Sequence, residues 1–348
     1  DVAPLRLGTA IKGVFIIYGL TIVTNYILNL WVKAAPIGPW TGENIATWYW
    51  FDNVCWMVFA LLWCFIFAAV GNWPFTKIQH NLSRGIVATI SCWILGWFSI
   101  KAVYWMGLGA GWAFPLVGSL YFSLVFFSFT GENWLWGEFT PQRQFGLIII
   151  AILAFTWVMT MTSVRWIPPW WFPFAQMGLA TGLFAYLFRK MKQPMKGIMS
   201  WLLMFIIVGV WLMISTRMGI WDFKLEGTSG FWNIGSYTQA NDWLLLFMIG
   251  CSFVYGVLIP LHNWPFTKIR MPWGGILAGI ATAVLCVLMT LIFKSLIGPV
   301  FRDMNEALTY AYMGVAWSFF IPLFFGIGFE KPYLWTGQKT PGSWEDVD

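Results

Sequence analysis

"NWPFTKI" occurs as Asn72–Ile78 and again as Asn263–Ile269, 263 − 72 = 191 positions apart. Identity over seven residues of such unusual composition points to an internal duplication. What was duplicated follows from the surroundings. The 348-residue chain is 59% hydrophobic and only 10% charged, with a mean hydropathy of +0.71. Soluble domains have roughly 45–50% apolar and about 25% charged residues, so the chain reads as an integral membrane protein. Its apolar runs are long enough for helices and lack the every-second-residue alternation of a membrane β-barrel. The 27 Trp and 32 Phe gather where apolar runs meet polar ones, as interfacial aromatic belts do.

The expected fold is an all-α polytopic bundle of about ten transmembrane helices, near 10–32, 50–71, 86–108, 112–130, 145–163, 174–190, 197–215, 243–262, 275–297 and 307–328. The first resembles a signal peptide, because Arg6 and Lys12 precede an apolar run that ends in "VKAAP". Against removal, "IKGV" at Ile11–Val14 is echoed by "MKGI" at Met195–Ile198, which gives the first span a partner in the seventh.

The duplication extends beyond the heptapeptide. Ala88-Thr89 match Ala281-Thr282, and this displacement of 193 sets Lys101 opposite Lys294. "WLWGEFTPQ" from Trp134 resembles "YLWTGQKTPG" from Tyr333 and pairs Trp136 with Trp335. Spans one to four therefore correspond to spans seven to ten. A displacement of six spans is even, so both copies enter the membrane in the same sense, a parallel repeat. The expected organisation is a first four-helix repeat over 1–143, a connecting hairpin of spans five and six over 144–194, a second repeat over 195–342 and a tail over 343–348.

Orientation follows from the basic residues. Of 20 Lys and Arg, 13 fall on the face that holds both termini and seven on the other, which places both termini in the cytoplasm of a cell's inner membrane. The net charge of +6 is this topological bias and gives no case for nucleic acid.

Within that frame the heptapeptide closes the second span of each copy on the cytoplasmic side. Asn72, Trp73, Pro74 and Lys77, with Asn263, Trp264, Pro265 and Lys268, form a structural or gating motif. Pro ends the helix, Trp sits at head-group level and Lys meets the positive-inside face. His80 and His262 lie beside the motifs at non-equivalent positions and read as interfacial polar residues.

The chemistry that is missing narrows the function. Two histidines in loops do not suit a haem, and Cys55, Cys64, Cys92, Cys251 and Cys286 show no metal-binding spacing. No hydrolase, nucleotide or metalloprotease signature occurs, so no catalytic residue, metal or resident cofactor is expected and the chain does not read as an enzyme by itself. Site candidates are therefore the ionisable residues at membrane depth, where an unpaired charge costs at least roughly 2.5–3.5 kcal/mol. Lys101 and Lys294 lead; the plainer reading is that they snorkel to the outer head groups. Asp52, Asp242 and Arg165 accompany them on the outer side. Glu132 and Glu330 follow spans four and ten on the inner side, placed to pair with a neighbouring basic residue.

Two functions fit. The first is transport of a small anionic or carboxylate-bearing solute through a site between the repeats. The alternative is a cofactor-free membrane subunit of a respiratory or redox complex, which anchors a periplasmic or membrane partner and binds quinone among its aromatic side chains.

Overall fold

The computed structural model describes residues 7–34, 56–57, 59–106, 123–161, 182–217, 245, 248–250, 252–258, 261, 263–301, 304, 306–308, 310–311, 313–315 and 317–318. These residues are helical, without a strand among them. Three helices are long and apolar enough to cross a membrane, with stretches Ser83–Trp105, Pro141–Val158 and Trp273–Ser295. Two shorter apolar helices, Val14–Ile27 and Phe59–Ala69, accompany them. The composition and the helices agree on a membrane protein.

The order is α1 (Leu7–Ala34), α2 (Phe59–Ala69), α3 (Asn81–Trp105), α4 (Pro141–Met161), α5 (Leu183–Leu187), α6 (Met195–Arg217) and α7 (Trp273–Ser295), followed by helical residues between 304 and 318. Two segments, Leu124–Thr130 and Val254–Leu258, are wound in the wider π-helical manner.

α2 occupies the centre. Phe59, Ala60, Leu61, Leu62, Cys64, Phe65, Ile66 and Phe67 are all buried, and a helix that is apolar all round belongs inside a bundle. α3 packs tightly against it because Gly96 faces Ala60: a Cβ on Gly96 would stand 2.5 Å from the Ala60 backbone nitrogen. Trp63 on α2 donates its indole N–H to Ser99 Oγ on α3 at 2.9 Å. α4 joins through Phe145, whose ring stacks on Trp63 at 6.2 Å and on Phe67 at 6.3 Å. The buried residues of α2, α3, α4 and α6, with Leu245, Met248, Ile249, Leu308, Ala311, Met313 and Val315, form one continuous apolar core.

α1 is turned the opposite way from a helix of a soluble protein. Phe15, Ile22, Val23 and Tyr26 are exposed, whereas Ile17, Thr21 and Asn25, four residues apart, are buried. A lipid solvent rewards this arrangement, because apolar side chains lose nothing by facing acyl chains while polar ones must find partners inside. The buried stripe of α1 lies against Val254–Leu258, and α6 lies against Leu124–Thr130.

Both heptapeptides take one backbone conformation. Asn72 and Asn263 have left-handed φ values of 61° and 55°, each is followed by a cis Trp–Pro bond, and a single 3-10 turn comes next, Phe75–Lys77 or Phe266–Lys268. The Asn72 N–H donates to Phe67 O at 2.6 Å and the Asn263 N–H to Leu258 O at 2.8 Å. Asn tolerates positive φ better than most residues and is a common helix C-terminal signal, which accounts for its place at the head of the motif.

Candidate functional site

The most unusual polar constellation is a buried seam where α1 meets 252–258 and 311–318. From α1 come Tyr18, Thr21, Thr24 and Asn25. Tyr18 donates its hydroxyl to Ser252 O at 3.2 Å, and Ser252 in turn donates to Ala311 O at 3.4 Å. Trp317 donates its indole N–H to Thr24 Oγ1 at 2.6 Å. Thr21 and Thr24 donate to the carbonyls of Ile17 and Leu20, one turn earlier in their own helix.

Glycines let these segments approach. A Cβ on Gly256 would lie 2.7 Å from Ser318 Oγ and 3.1 Å from Tyr18 Oη; one on Gly314 would lie 3.0 Å from Ser252 Oγ. Asn25 differs from its neighbours in the seam. It is 0% exposed, and neither its Oδ1 nor its Nδ2 has a hydrogen-bond partner among the described residues. A buried amide left in this state costs about 1–3 kcal/mol per unsatisfied group.

α7 buries a stripe of small residues. Gly274, Gly275, Ala278, Thr282, Cys286 and Thr290 are buried. Small residues at helical spacing allow close helix contacts in membranes. Lys294 is four residues beyond Thr290 and continues this stripe in the last turn, half-buried. Lys101 continues a different one. Its Nζ lies 5.5 Å from the ring centre of Trp97, four residues earlier, on the half-buried face of α3 that also carries Trp93.

The buried positions of the two helices coincide at a displacement of 194, which pairs Ala88 with Thr282, Cys92 with Cys286 and Gly96 with Thr290. At 193, where Lys101 meets Lys294, the same stripes are out of phase by one residue, about 100° of rotation.

Of the other expected site residues, Asp52, Asp242 and Arg165 lie outside the described residues, as do His262 and Glu330. The heptapeptide residues form the two turns described above, each packed differently. Phe75 is buried edge-on against Phe67 at 4.7 Å, and Trp73 meets Phe145 at 5.8 Å. In the second turn Lys268 Nζ lies 5.7 Å from the Trp264 ring centre. His80 is exposed and caps α3, its Nδ1 accepting from the Ser83 N–H at 3.2 Å.

Glu132 forms an ion pair with Lys196 at the start of α6. Around that pair Gln193 donates to Thr130 O at 3.2 Å, and Asn133 donates to Ala69 O at 3.3 Å. The chain following the Leu124–Thr130 segment is thereby tied both to the end of α2 and to the start of α6. Among the described residues no three or more His, Cys, Asp or Glu gather to hold a metal ion. Comparison with protein-family models, with curated proteins and with solved structures gives no match.

The seam residues could have been found from the sequence, since Tyr18, Thr21, Thr24 and Asn25 interrupt an otherwise apolar run at helical spacing. Hydroxyl and amide groups barely lower a hydropathy average, so a search led by charge passes over them.

Proposed function

We propose that the chain is a membrane transporter of a small anionic or carboxylate-bearing solute, built from two parallel four-helix copies with the solute site in the seam between them. In this reading ten helices cross the inner membrane, 1–143 and 195–342 are the copies, 144–194 joins them, and both termini are cytoplasmic. The observation that carries it is Asn25, fully buried with both amide atoms unpartnered. A solute carboxylate accepting from Nδ2, with a solute hydroxyl or ammonium donating to Oδ1, satisfies both atoms.

Two further features support the reading. α1 belongs to the first copy yet packs on 252–258 and bonds to Trp317, both of the second. α6, the leading helix of the second copy, packs on Leu124–Thr130 of the first and pairs with Glu132 there. Each copy thus leans its first helix on the other copy, and a site at the junction of duplicated bundles suits alternating access. Lys294, at the end of the buried α7 stripe, is assigned the role of attracting the anion. Asp52, Asp242 and Arg165 are assigned to the outer approach.

The test is uptake into proteoliposomes with a panel of small radiolabelled carboxylates. At least one is expected to accumulate above protein-free vesicles, with about a tenfold loss of uptake in Asn25→Leu, the effect of one buried hydrogen bond to the solute. Uptake of every solute at the level of empty vesicles, or unchanged uptake in Asn25→Leu, removes the proposal.

A further inference from the structure

Cations gather where α5 stops and α6 and α7 begin. A Cβ on Gly275, the third residue of α7, would lie 3.1 Å from Leu183 Cβ at the start of α5 and 3.2 Å from Met271 Sδ. That contact sets the turn ahead of α7 beside α5, which also packs on α6. Arg189, Lys190 and Lys192 follow α5, Lys268 and Arg270 precede α7, and all five are exposed. No carboxylate balances them. Asp and Glu are absent from 182–217 and from 263–301, and none of the five cations forms an ion pair among the described residues. Lys196 is the contrast, because Glu132 already neutralises it.

Two of the cations are steadied by rings. The Arg189 guanidinium carbon lies 4.0 Å from the Tyr186 ring centre and its Nη1 donates to Tyr186 O at 2.8 Å; arginine has five N–H donors, so others remain for a ligand. Lys268 Nζ lies 5.7 Å from the Trp264 ring centre. Helix ends give the level of the patch. α7 is long and apolar enough to cross a membrane from its first residue, Trp273, which is itself exposed. Arg270 and Lys268 stand 273 − 270 = 3 and 273 − 268 = 5 residues before it, where a span leaves the hydrocarbon for the head groups. Leu187, Met191 and Ile269, all exposed, interleave with the cations, a mixture that suits the boundary of an anionic membrane.

We propose that this patch binds the head group of an anionic phospholipid, whose phosphates bridge the loop after α5 and the turn before α7. Cations from two chain segments favour a lipid with two phosphates, cardiolipin, over one with a single phosphate. The patch is more than a product of the duplication. At the displacement of 191 Lys77 matches Lys268, but Gln79 stands in the place of Arg270. An acidic protein segment would also meet the cations, but its carboxylates make no use of the apolar Leu187, Met191 and Ile269 among them.

The test is native mass spectrometry of the full chain in detergent, titrated with cardiolipin, with phosphatidylglycerol, with phosphatidylcholine of matched acyl chains and with a polyglutamate peptide. The wild type is expected to retain cardiolipin best and phosphatidylcholine least, at least about tenfold apart, since each basic residue at an anionic surface contributes roughly fivefold. Lys190→Gln, Lys192→Gln and Arg270→Gln together should bring cardiolipin to within about twofold of phosphatidylcholine, whereas Lys77→Gln keeps the preference. An unchanged thermal midpoint without added lipid separates lost binding from misfolding. If the triple variant does not fold, Arg270→Gln alone reads the same point as a loss of roughly fivefold. Equal retention of the three lipids by the wild type, a preference that survives the triple substitution, one that Lys77→Gln removes as fully, or polyglutamate held in place of cardiolipin overturns the proposal. The outcome is separate from transport, because Asn25→Leu touches none of these residues.

Discussion

α3 and α7 follow identical heptapeptide turns and have nearly the same length, yet they bury different chemistry. α3 presents Ala88, Cys92 and Gly96 to the central helix α2 and turns Trp93 and Trp97 partly outward. α7 buries Thr282, Cys286 and Thr290. One helix buries small apolar groups against the core and the other buries hydroxyl groups as well. The turn sets where each helix starts, while the residues behind it decide what the helix packs against.

The sharpest way to break that contrast is to enlarge matched positions. Gly96→Leu forces a side chain into Ala60 backbone atoms, where even a Cβ would sit 2.5 Å from the nitrogen. The expected destabilisation is at least the 1–3 kcal/mol typical of overpacking, read as a loss of folded protein or a large fall in thermal midpoint in detergent. Thr290→Val, at the paired position of α7, removes only the hydroxyl that donates to Cys286 O within its own helix at 2.7 Å. It is expected to change stability by less than about 1.5 kcal/mol. Equal effects at the two sites would mean that the stripes do the same work.

A smaller effect sharpens the likeness of the turns themselves. Asn72→Ala and Asn263→Ala each place Cβ-bearing Ala in a left-handed conformation, at φ 61° and 55°. A cost of about 1–2 kcal/mol is expected for each. Asn→Gly at the same positions should recover most of it, because Gly adopts that conformation freely. If Ala is tolerated at one turn and not at the other, the two turns do not share a structural role.

The helical membrane character was legible from composition alone, because apolar runs of this length have few other uses. The turn was legible too, since Asn, Pro and the paired aromatics state a helix end in any context. Two things were less so. The polar stripe Tyr18, Thr21, Asn25 is visible at helical spacing in the sequence, but hydroxyl and amide groups barely lower a hydropathy average, and only tertiary packing reveals that this face is inside. The relation between Lys101 and Lys294 rested on the dipeptides Ala88-Thr89 and Ala281-Thr282, and so short a match fixes register poorly. One residue of slip turns a helix by about 100°, enough to send Lys294 along the buried α7 stripe and Lys101 along the Trp97 face. The ion pair between Glu132 and Lys196 lies in between: the position of the acid just after an apolar run suits it to a basic neighbour, but a partner 64 positions away cannot be picked from local pattern.

The proposed transport reading depends on two copies arranged in parallel. It is tested most directly by thiol labelling of Lys77→Cys and Lys268→Cys, one in each exposed heptapeptide turn, made singly in a variant lacking the five native cysteines. With a membrane-impermeant maleimide, both thiols should be silent in intact cells and labelled in inverted membrane vesicles. Labelling of one from outside and the other from inside would make the copies antiparallel and contradict the account.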